Sequence, residues 1–87
     1  PKSQHRIDAF NLSLGNALEM QGKSKEAVAI FEKLASEAKS DDNKIEALEK
    51  LAEVFTKLGK TTEAQKAADD AKALQKGKPP QHYKAPL

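Results

Sequence analysis

The sequence predicts an all-α fold: four antiparallel helices forming two helical hairpins, a short α-solenoid or right-handed superhelical fragment. Three observations carry this. Apolar residues recur at three- and four-residue steps along residues 4–76. No stretch alternates apolar and polar residues as a strand would, and no Asn-Gly or Asp-Gly hairpin turn occurs. The chain also matches itself at a shift of 37 residues, which aligns Gly22 with Gly59.

The first helix is expected over about 4–21, with Ser3 as a candidate N-cap. Ile7, Phe10, Leu14, Ala17, Leu18 and Gln21 give it one inward stripe, and Gly22 ends it. The second, about 24–39, begins near Ser24 and turns Ala27, Val28, Ile30, Phe31, Leu34, Ala35 and Ala38 inward. The third, about 43–58, opens on Asn43 with Glu46 three residues on, a capping-box spacing. It buries Ala47, Leu48, Leu51, Ala52, Val54, Phe55 and Leu58, and stops at Gly59. Thr61 caps the fourth, about 61–76, whose inward residues are Ala64, Ala67, Ala68, Ala71 and Leu74. Short connections make each helix antiparallel to the one before it.

The chain is 87 residues long, room for one small domain. Residues 1–76 are expected to be that domain, with repeat one at about 8–41 and repeat two at about 45–76. Gly77-Lys78-Pro79-Pro80 cannot continue a helix, so residues 77–87 read as a flexible basic tail. Residues 71–87 carry Lys72, Lys76, Lys78 and Lys84 and no acid, leaving residues 1–70 with 11 bases against 13 acids. The folded part is therefore slightly acidic and the tail basic.

Composition narrows the function classes. There is no Cys, which removes disulfides, thiolate metal sites and thiol nucleophiles. No apolar run is long enough to span a bilayer, and no signal-like segment follows the first residue. The expected setting is cytoplasmic, the nucleus remaining open. His5 and His82 are far apart in sequence and lack metal-ligand spacing. Asp41-Asp42 suits the positive end of a helix, and Asp69-Asp70 a solvated helix face. The four glycines are isolated, so no phosphate loop exists, and no Ser or Thr has a base at a recognised spacing. Neither an enzyme nor a cofactor or metal site is expected.

The internal repeat gives each matched position a packing role. Leu14 falls on Leu51, Gly15 on Ala52, Leu18 on Phe55, Ala27 on Ala64 and Phe31 on Ala68. The first copy reads Asn11-x2-Leu14-Gly15-x2-Leu18, then Gly22, then Ala27-x3-Phe31. The second reads Leu48-x2-Leu51-Ala52-x2-Phe55, then Gly59, then Ala64-x3-Ala68. This pattern resembles the tetratricopeptide repeat family, over roughly residues 8–75. The family's first aromatic is replaced by Asn11 and Leu48, its closing proline by Lys39 and Lys76, and the period is longer.

The resemblance implies two helix-turn-helix repeats and a protein–protein interaction module, an adaptor or scaffold. It places the partner on the concave face lined by the first helix of each repeat. On this sequence those positions are Ala9, Leu12, Ser13, Asn16 and Met20, then Glu46, Glu49, Lys50, Glu53 and Lys57. Leu12 and Met20 are expected to be exposed apolar contacts, and Glu46, Glu49 and Glu53 an acidic ridge. Some family members clamp the acidic C-terminus of a heat-shock chaperone with Lys and Asn side chains. Asn16 stands at one such position, but Leu12 replaces the clamp lysine and Lys50 the second asparagine. A basic or amphipathic partner segment suits the face better. The tail's lysines raise a nucleic-acid reading, but lack aromatics beyond Tyr83 and would give weak, salt-sensitive binding. A self-associating segment of a larger array is the third reading. With helix four as a polar cap, a monomer is expected.

Overall fold

The computed structural model describes residues 2–76, which form α1 (Lys2–Met20), α2 (Ser24–Glu37), α3 (Asp41–Lys57) and α4 (Thr61–Lys76). The expectations for residues 77–87, including His82, Tyr83 and Lys84, and for the side chain of His5, lie outside the described residues. Among the described residues there is no strand. Each helix packs on the next in sequence, and α1 also touches α3 lightly. The all-α fold of stacked hairpins is therefore the observed one.

The two hairpin turns are built alike. Gly22 and Gly59 sit at φ +81° and +78°, the left-handed region that glycine enters without steric cost. Lys23 N–H donates to the Leu18 carbonyl and Gly22 N–H to that of Glu19, at 2.8 and 3.0 Å. Lys60 and Gly59 repeat the pattern onto Phe55 and Thr56, at 2.8 and 3.1 Å. Both are Schellman motifs, which satisfy carbonyls that a helix end otherwise leaves open. A methyl at either glycine meets nothing within 4 Å, so the cost of alanine is purely conformational. Gly59→Ala is expected to cost about 1–2 kcal/mol, read as a lowered urea midpoint with an unchanged m-value.

The core lies between α2 and α3. Ala27, Phe31, Leu51, Val54 and Ala67 form one buried cluster, with Leu34, Ala38 and Ala47 forming a second. Val28, Ala35, Leu48, Ala52, Phe55 and Leu58 pack around the first. Ile45 is also buried, although its position falls outside the stripe expected for that helix. The α4 stripe is as expected, with Ala64, Ala67 and Ala71 buried.

Helix α1 departs from its expected orientation. Ile7 and Phe10, expected inward, are 48% and 64% exposed, and Ala17 and Gln21 are exposed too. The buried positions are Asp8, Asn11 and Gly15, with Leu12 and Leu18 half-buried beside them. Gly15 sets this rotation. A Cβ there would lie 2.5 Å from Phe31 Cε1, so the glycine side of α1 is where the ring approaches. Asp8 and Asn11 are tolerated inside because no buried side-chain polar atom among the described residues lacks a partner. Asp8 accepts from Asn43 Nδ2 at 3.2 Å across to α3.

The helix starts also differ. Ser3 lies within α1 rather than capping it, and Thr61 is the first residue of α4. The α3 cap is Ser40, whose Oγ accepts from Asn43 N–H at 3.1 Å, so the helix begins at Asp41. Asn43 is thus inside α3, its amide spent on Asp8 instead of on a cap. Asp41 and Asp42 occupy the first turn and Lys57 the last, both favourable to the helix dipole.

Candidate interaction surface

Two successive hairpin reversals make α1 and α3 parallel, and three contacts fix their register. Near the start, Asp8 meets Asn43. In the middle, Leu12 packs against the cluster that holds Ala47, Leu34 and Ala38. Towards the end, Lys57 Nζ lies 2.6 Å from Glu19 Oε2. Glu19 is mostly covered there, while Lys57 remains largely exposed. The hydrogen bond to Glu19, the charge of Glu19 and, more weakly, that of Glu53 hold the Lys57 pKa above the ordinary lysine value. Because that pKa is raised, the pair's contribution is full at neutral pH and is lost only as pH climbs through the alkaline range. With Lys57 largely solvent-exposed, the pair fixes geometry more than it adds stability.

The ten expected partner-facing residues distribute unevenly over this frame. Ala9, Ser13 and Met20 are exposed on α1, Met20 at 88%, and Asn16 is half-buried. Glu46 and Glu53 are exposed on α3, and Lys50 is half-buried. Leu12 is not the exposed apolar contact expected of it. It is half-buried, packs against both core clusters and belongs to the α1–α3 seam. Glu49, also exposed, accepts from Gln75 Nε2 at 3.2 Å, which ties it to α4. Lys57 is engaged by Glu19.

The outer helix α4 is polar. Gln65 Nε2 donates to Asp69 Oδ1 at 2.9 Å and Lys66 Nζ lies 3.3 Å from Asp70 Oδ2, each pair one helical turn apart. The Asp69-Asp70 pair is therefore spent on intrahelical partners. Among the described residues no group of three or more His, Asp or Glu is placed to hold a metal, and no helix is long and apolar enough to cross a membrane.

Residues 8–40 match the family model described as tetratricopeptide repeat. No curated protein and no solved structure matches the chain. The matched segment comprises most of α1, all of α2 and the link to α3. It includes the Gly15–Phe31 approach and the Gly22 turn, the two features that give the first hairpin its shape. Repeats of this type mediate protein–protein interaction in general. Residues 8–40 thus match one tetratricopeptide repeat, and the four stacked helices are consistent with repeats of that type.

Proposed function

We propose that this chain is a non-enzymatic interaction module, an adaptor or scaffold unit that binds a basic or amphipathic partner segment along α1 and α3. The observation that carries the reading is Met20, 88% exposed at the end of α1, together with the exposed carboxylates of Glu46 and Glu53 along the parallel helix α3. A thioether is soft and adaptable, and suits an apolar side chain of variable shape. The carboxylates on α3 favour a partner whose apolar face is flanked by Lys or Arg. The remaining face residues, Ala9, Ser13 and Asn16, are small enough to let a backbone approach. The module acts as a monomer in a cytoplasmic setting, and its binding weakens as salt rises.

The test is capture from lysate on immobilised protein. Wild type is expected to retain a partner that the double variant Glu46→Lys, Glu53→Lys loses, with Met20→Glu losing it as well. A control at an exposed α2 position, Lys33→Glu, should retain it. Circular dichroism should show unchanged helicity in all variants. Equal capture by wild type and by the face variants would overturn the reading.

A further inference from the structure

The apolar stripe on the far side of α1 has a counterpart whose covering is known. Ile7 and Phe10 are 48% and 64% exposed, Ala17 is exposed and Leu14 half-buried. The shift of 37 places Phe10, Leu14 and Ala17 on Ala47, Leu51 and Val54 of α3. Those three residues are all buried, in clusters shared with Ala27, Phe31, Leu34 and Ala38 of α2. The helical surface that α3 lays against α2 is thus left open on α1. Grouped exposed apolar residues of this kind mark interaction sites, unlike scattered ones.

We propose that the Ile7–Phe10–Leu14–Ala17 face of α1 docks a partner amphipathic helix that has the apolar pattern of α2 and runs antiparallel to α1. The α2–α3 interface supplies the geometry: Leu34 and Ala38 share a cluster with Ala47, while Ala27 and Phe31 share one with Leu51 and Val54, so the two helices run in opposite directions. Side-chain size then specifies the occupant. Phe10 stands where α3 has Ala47, so the occupant must be smaller than Leu34 at the facing position, with alanine or glycine there. Ala17 stands where α3 has Val54, leaving room for a larger side chain near that end. A second copy of this chain does not fit. Its outermost helix, α4, carries Gln65 and Lys72 at the positions where α2 has Val28 and Ala35, both packed against the core. Docking α4 onto α1 would strip water from the Lys72 ammonium, for which the apolar face offers no partner. The site differs from the Met20–Glu53 surface and stands without it.

The test uses the full chain and a synthetic helix with the sequence of residues 24–40. A hydrocarbon staple at Ala29 and Lys33, both exposed and one turn apart, removes the ordering cost of a short helix. A second peptide adds Leu34→Ala. Saturable chemical-shift changes are expected on the Ile7, Leu14 and Ala17 methyl groups and the Phe10 ring, with the Leu34→Ala peptide binding more tightly. Phe10→Glu should weaken binding by about tenfold or more, as loss of an aromatic anchor does. Phe10→Ser should do likewise, and Met20→Glu should leave binding unchanged. Phe10 is exposed, so both variants should keep wild-type helicity. The proposal is overturned if neither peptide shifts α1 resonances, if the shifts fall on other helices, or if Phe10→Glu binds as wild type. Sedimentation showing a dimer of the chain alone that Phe10→Glu dissolves would also overturn it, by making a second copy the occupant.

Discussion

Phe31→Ala is expected to remove most of the folding stability of this domain. The ring is fully buried and sits in the cluster that joins α2 to α3, so its loss empties the seam between the two hairpins. Truncating a buried Phe costs about 3–5 kcal/mol. A domain of this length has a total stability of about 4–13 kcal/mol at typical per-residue values. Urea denaturation followed by circular dichroism should therefore show a large fall in midpoint, or no folded baseline at all. Phe31→Leu, which keeps most of the volume, should retain a cooperative transition. An alanine variant that melts like wild type would show that the ring is not part of the core.

Gly15→Ala carries the second-largest expected effect, and its sign opposes helix propensity. Gly15 lies inside α1, where alanine is favoured over glycine by about 1 kcal/mol. The added methyl would sit 2.5 Å from Phe31 Cε1 and 2.6 Å from Cζ, well inside contact distance. Because the ring is fully buried, it cannot move aside without displacing its neighbours. Overpacking of this kind costs about 1–3 kcal/mol, so a net loss of stability is expected. A double-mutant cycle isolates the cause: in a Phe31→Leu background the cost of Gly15→Ala should shrink. An unchanged cost in that background would place the clash elsewhere. The second hairpin has Ala52 and Ala68 at the equivalent positions, a small pair in place of the glycine–phenylalanine pair.

The helices, the glycine turns and the cores of α2 and α4 were legible in the sequence because each is set by local chemistry. Helix formers and three- and four-residue spacing define the segments, and a glycine at positive φ ends the first helix of each hairpin. The rotation of α1 was not legible. Two apolar stripes run along this helix, and the richer one, through Ile7 and Phe10, is the one left outside. The inner face instead carries Asp8 and Asn11, and the partner of Asp8 is Asn43, 35 positions away. Local patterning cannot reveal a hydrogen bond that only the stacking of hairpins creates. The same holds for the Glu19–Lys57 pair and for Gln75 with Glu49, which give two of the expected partner-facing residues partners on other helices. The internal repeat carries one signal of the rotation: it aligns Phe10 and Leu14 with Ala47 and Leu51, residues that face the preceding hairpin.

The reading of this chain as an interaction module that binds along α1 and α3 is tested most directly by site-specific photo-crosslinking in lysate. A benzophenone side chain placed at Ser13 or at Glu53, both exposed, reports on the proposed face. The same group at Ala29 on α2 or Ala73 on α4, also exposed, reports on the opposite side. The account predicts adducts to one and the same protein from Ser13 and Glu53, and none to it from Ala29 or Ala73. Adducts to that protein from the α2 and α4 positions, with Ser13 and Glu53 silent, would contradict it.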